Sequence, residues 1–144
     1  MALLPPAVLG VQEVLQNLKA QEALIGKRVA GAIKLAGLIL QRESQKLVPV
    51  DTGNLKASAF TRATGEGLST VVNVGYTAAY ALFVHEAVGM KLKGVPRGAA
   101  EKGAKGYRGH YWDPQGQAQA KFLEEPLRRL SPKLKQMIAN ACKI

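Results

Sequence analysis

The run LVPVDTGNL, Leu47 to Leu55, sets a single carboxylate in an Asp-Thr-Gly triplet behind a short apolar stretch. Retroviral-type aspartic proteases present their catalytic carboxylate in this way, and their chemistry needs two such groups facing each other across one shared proton. This chain carries the triplet once, at Asp51-Thr52-Gly53, so a protease would have to dimerise. Turn chemistry explains the same residues without a partner. Pro49 cannot continue a helix, Asp51 can accept a backbone N–H two or three residues on, and Gly53 tolerates a positive φ. Pro49, Asp51, Thr52, Gly53 and Leu55 are therefore read as a structural turn. His85-Glu86 begins the zinc pattern His-Glu-x-x-His but has Gly89 at the place of the second histidine, and His110 is distant. GEGLST, Gly65 to Thr70, lacks the lysine of a phosphate-binding loop and joins two strands. The expected inventory is thus no catalytic residue, no metal ligand and no cofactor, with His85 and Glu86 assigned to a polar helix end or a subunit contact.

The elements that hold these residues follow from periodicity. From Val11 the residues Val14, Leu15, Leu18, Ile25, Val29 and Leu40 recur at mostly three- and four-residue steps, and Leu47 closes the stripe. That predicts a long amphipathic helix ending at about Leu47, where Pro49 disfavours helical backbone in the residue before it. Gly26, Gly31 and Gly37 each cost roughly 1 kcal/mol relative to Ala, which predicts a break or bend near Gly26 and leaves one helix or two open. Asn54 to Ala57 can make a single helical turn. ASAFTRA (57–63) and LSTVVNVGY (68–76), rich in β-branched and aromatic residues, predict a β-hairpin turning at Thr64 to Gly67.

After the hairpin, residues 77–89 predict a short helix burying Ala78, Ala81, Leu82 and Val84, with Thr77 as cap and Gly89 as stop. Tyr76, Tyr80 and Phe83 are assigned to the core. Residues 90–110 lose periodicity and hold five glycines and six basic residues, Lys91, Lys93, Arg97, Lys102, Lys105 and Arg108, against Glu101 alone. A loop of that length is either functional or disordered. Helical spacing returns through Phe122, Leu123, Leu127, Leu130 and Leu134, with a start expected near Pro126 or Pro132. The fold class expected is α+β: a long N-terminal amphipathic helix packed on a small antiparallel sheet, with a short middle helix and a C-terminal helix, all in one domain.

Composition excludes more than it selects. The 144 residues, 47% of them hydrophobic, suffice for one core. The lone Cys142 excludes a disulfide framework within the chain and fits a reducing cytoplasm. No run approaches the ~18 apolar residues of a membrane span, and MALLPPAVLG lacks the charged start of a signal peptide, so no membrane partner and no export are expected. Twenty Lys and Arg against ten Asp and Glu, net +10, attract polyanions without selecting one. With 6% aromatics not interleaved among the basic residues, a single-strand stacking platform is missing.

Three segments in this order of elements resemble the small tailed-bacteriophage proteins of the neck and tail-completion class. That family carries PVDTG-x-L-x-x-S after its first helix, matched here by Pro49, Val50, Asp51, Thr52, Gly53, Leu55 and Ser58. It carries Y-A-x-x-V-E-x-G after the hairpin, matched by Tyr80, Ala81 and Val84, with His85-Glu86 beside the glutamate position and Gly89 displaced. It opens its last helix with F-L-x-x-A-L, matched by Phe122, Leu123 and Leu127, with Pro126 in place of alanine. The similarity runs over about residues 10 to 130.

The resemblance implies a non-enzymatic ring, usually hexameric, at the joint between head connector and tail. It implies itself, the head connector or stopper proteins, and the tail terminator or tail tube as partners, double-stranded DNA passing through the channel, and a place in the virion after assembly in the host cytoplasm. On this reading the six basic residues of 90–110 belong to a loop mobile in the free protein that lines the channel or clasps a neighbour. Alternatives are a tail terminator or other tube-end protein, a non-specific nucleic-acid-binding module, and a dimeric aspartic protease using Asp51.

Overall fold

The computed structural model describes residues 10–50, 52–88 and 117–143. Helix α1 runs unbroken over Val11–Leu47, 37 residues, and so spans about 55 Å. The expected break near Gly26 is absent, and packing explains why. A Cβ on Gly26 would lie 3.1 Å from Cα of Gly67, and one on Gly37 would lie 2.5 Å from Cγ1 of Val72. These glycines let the hairpin come against the helix, so burial offsets their poor helix propensity. The helix ends where the sequence predicts: Val48 turns extended (φ −67°, ψ 127°) ahead of Pro49 while its amide still bonds Ser44 O at 3.2 Å.

A tight turn then leads into α2, Asn54–Ala57. Gly53 adopts φ 85°, as its residue type allows, and the hydroxyl of Thr52 accepts the amide of Asn54 at 3.4 Å. The role assigned to Asp51 falls on a residue outside the described set. Replacing Gly53 by Ala puts a Cβ into left-handed backbone and is expected to cost about 1–2 kcal/mol in denaturant unfolding. No atom stands within 4 Å of that Cβ, so the loss would come from the backbone alone.

Strands β1 (Ala59–Thr64) and β2 (Val71–Tyr76) pair antiparallel from Ala59 opposite Tyr76 to Thr64 opposite Val71. Alternation puts Thr61, Val72 and Val74 against α1, where the Thr61 hydroxyl also donates to Gln41 Oε1 at 2.6 Å. On the outer face Phe60 covers Gly75, and Arg62 lies 5.7 Å over the Phe60 ring. The second strand begins three residues later than expected. Gly67–Ser69 instead form a 3-10 turn, with Gly65 and Gly67 at φ 77° and 54°, and that turn packs on Gly26.

Helix α3 covers Ala81–Glu86, and α4 covers Glu124–Ala141. Six residues make fewer than two turns, so only one side of α3 meets the core. Ala81 and Val84 face inward, whereas Leu82 (73% exposed), Phe83 (69%) and Tyr80 (45%) do not, correcting the assignment of all three to buried positions. Thr77 does not cap α3; its amide and hydroxyl both donate to Ser58 O. The expected stop, Gly89, lies outside the described residues. Pro126 sits in the first turn of α4, where a missing amide costs nothing, and Pro132 lies inside the helix. Leu127, counted into the apolar stripe, is about half exposed.

The architecture is therefore α+β, a long helix on a two-stranded antiparallel sheet with a C-terminal helix against it. A core cluster sits at the C-terminal end of α1. Val48, Leu55 and Phe122 are 3%, 4% and 1% exposed there, and Leu47, Tyr76, Val84 and Leu123 close around them.

Candidate functional site

The side chains with chemical capacity gather on this core. Tyr76, at the end of β2, lays its ring edge-on to Phe122 with centroids 5.1 Å apart, and its hydroxyl shares a 2.7 Å hydrogen bond with Ser44, which is fully buried in α1. Burial raises the Tyr76 phenol above its ordinary value, with the Ser44 bond opposing in part. A raised pKa means that the folded state holds its proton more tightly than the unfolded chain does. Stability from this group is thus whole below about pH 10 and lost as pH rises beyond it. Tyr76→Phe is expected to flatten that alkaline loss and to cost about 1 kcal/mol at neutral pH, measured by urea unfolding as a function of pH.

His85 also meets Phe122 edge-on, centroids 5.0 Å apart. Its Nδ1 lies 2.8 Å from Glu86 Oε1. When Nδ1 of the neutral ring donates to the carboxylate, Nε2 is an acceptor, and it is buried without a hydrogen bond among the described residues. The second oxygen of Glu86 accepts from Lys121, whose ammonium also reaches Glu124 at 3.3 Å. Hydrogen bonds from Lys121 first and His85 second hold the Glu86 carboxyl below the usual carboxylate range, and Glu86 in turn raises Lys121. Any stability from Glu86 is present above that range and lost as pH falls through it. Glu86 is exposed and Lys121 half-buried, so solvent screening keeps the effect small.

Lys121 occupies left-handed backbone at φ 57°, uncommon for a residue other than glycine. Its amide donates to His85 O at 2.7 Å and its side chain is held by Glu86 and Glu124, so α3 fixes the approach to α4. Between these two helices opens a largely apolar recess of about 340 Å³, lined by Tyr76, Ala81, Leu82, His85, Phe122 and Leu123, with the charged Glu86 also in its wall. Side-chain chemistry here amounts to one hydroxyl pair, one imidazole and one ion-pair cluster. Among the described residues no three His, Cys, Asp or Glu side chains come together as a metal site, and no helix is long and apolar enough to cross a membrane.

Of the residues singled out in the sequence, Pro49, Thr52, Gly53 and Leu55 form the turn that seats Leu55 in the core, and His85 and Glu86 sit at the end of α3. Asp51 and the six basic residues Lys91, Lys93, Arg97, Lys102, Lys105 and Arg108 lie outside the described residues. Sequence reasoning missed Ser44, Tyr76 as its partner, and Lys121. Ser44 had a signal: it stands four residues after Leu40 on the apolar face of α1, where a polar residue needs a partner. Lys121 had only its spacing to Glu124.

No protein-family model, no curated protein and no solved structure matches this chain.

Proposed function

We propose that this protein is a structural component of a tailed-bacteriophage neck, a ring that joins the head connector to the tail around the DNA channel. The observation that carries the reading is the meeting of the three resembling segments. Leu55 of the first, Ala81 and Val84 of the second, and Phe122 and Leu123 of the third pack into one cluster around Val48. Segments separated by tens of residues thereby act as one structural unit, as a shared fold requires. The net charge of +10 suits a lumen that neutralises phosphate without reading sequence.

The test is negative-stain electron microscopy of lysates from a phage with this gene disrupted. Heads beside separate, complete-looking tails are expected. Normally joined particles would overturn the neck reading, and unprocessed capsid precursors would turn attention to Asp51 as a catalyst.

A further inference from the structure

The back of α1 is a face that no other described element covers. The hairpin packs on this helix through Gly26 and Gly37, and α4 runs along it in the opposite direction, from Arg129 at Glu43 to the Lys143 carbonyl at Arg28. The residues left exposed between Leu24 and Arg42 all fall on the remaining side. Leu24, Gly31 and Leu38, seven residues apart, form its middle row, and Leu35 lies beside them. Leu24 is 42% exposed, Leu35 51% and Leu38 55%, and no atom stands within 4 Å of a Cβ built on Gly31. The positions 24, 28, 31, 35, 38 and 42 alternate steps of four and three, the spacing of a seam that packs against another helix. Gly31 at its midpoint lets a second backbone come close.

The charge along this seam has one sign. Lys27 and Lys34 lie on its hairpin edge, Arg28 and Arg42 on the other, and no acidic residue stands between Glu22 and Glu43. The part of α4 alongside adds Lys133, Lys135 and Lys143, with no acid from Pro126 onward. Two carboxylates stand at the margins. Glu66 is on the hairpin side of the cleft that Lys27 and Lys34 line, and Glu43 is already held by Lys46 and Arg129. Among the described residues Lys27, Lys34 and Arg42 make no ion pair.

These local features select the occupant. The same face of a second copy would set the four cations against four others. DNA would take the cations and leave three leucines facing phosphate and water. A lipid surface calls for a broader apolar face than this narrow row, which has no aromatic residue. We infer that the face from Leu24 to Arg42 binds an acidic amphipathic helix of a partner protein. The partner's apolar stripe rests on Leu24, Leu35 and Leu38 and crosses close to Gly31, while its carboxylates meet Lys27, Arg28, Lys34 and Arg42. The inference stands on this surface alone and does not rest on the neck reading.

The probe is a synthetic helical peptide of about 21 residues, with leucines at i, i+3, i+4 and i+7 and glutamates on both flanks, beside a peptide of the same composition in scrambled order. Two full-length variants are compared with the parent chain, Leu35→Gln with Leu38→Gln, and Lys27→Glu with Lys34→Glu. All four residues are exposed, so both variants should keep the circular dichroism and melting of the parent. In fluorescence anisotropy the parent is expected to bind the ordered peptide at least ~10-fold more tightly than the scrambled one, and each variant to lose at least ~10-fold. A parent that binds both peptides alike, or neither at hundreds of micromolar, overturns the proposal. So does tighter binding to duplex DNA or to phosphatidylserine vesicles than to the ordered peptide, which makes the face a general polyanion surface. Self-association that the leucine variant abolishes also overturns it, because a second copy is then the occupant. The particle phenotype tests the neck reading separately.

Discussion

Phe122→Ala is expected to lower the unfolding free energy by about 3–5 kcal/mol, the range for truncating a buried aromatic. Few positions in this chain have as much to lose. The ring is 1% exposed, meets both Tyr76 and His85 edge-on, and lies against Val48 and Leu55. Truncation empties the point where α1, the turn, β2, α3 and α4 converge, and rigid elements close such a cavity only in part. Denaturant titration should show the full loss, and thermal unfolding a fall of roughly 10 °C. A loss under ~1 kcal/mol would mean that these elements are not held together here. Phe122→Leu, which keeps most of the volume, should recover more than half.

Gly37→Val is expected to be nearly as costly, at about 3 kcal/mol or more. A Cβ at that position alone would come within 2.5 Å of Val72 Cγ1 and 2.9 Å of Thr61 Cγ2, and both neighbours are β-branched, so neither can swing aside. The hairpin would have to lift from α1. Gly31, on the same helix, has no atom within 4 Å of a built Cβ. Gly31→Ala is therefore expected to stabilise by about 0.5–1 kcal/mol, the gain in helix propensity. Measured together by urea unfolding, the two separate a glycine that packs from one that only weakens. Equal effects of both would contradict the packing account.

The contrast between these glycines shows where the sequence stops being legible. Gly26, Gly31 and Gly37 look alike as helix breakers, and nothing local in IGKRVAGAIKLAGLIL tells which face meets the hairpin. The continuity of α1 through Gly26 was hidden for the same reason, since the opposing residue, Gly67, is far along the chain. The short α3 was misjudged differently. Its residues are mostly apolar, and apolar composition does not tell a buried side from an exposed one when the helix has under two turns. Tyr80, Leu82 and Phe83 point outward because Ala81, Val84 and His85 already face Phe122.

What the sequence by itself determined is local and periodic: the end of α1 at Leu47 before Pro49, the turn at Gly53, the hairpin and the α+β class. Each rests on steric or propensity rules that act over a few residues, so the order of residues is enough. Only the tertiary structure decided which glycines are contact points, that Ser44 is partnered by Tyr76, that Lys121 bridges α3 to α4, and that the three scattered segments share one core. Those features depend on contacts between residues distant in the chain, and such contacts exist only when the elements have packed.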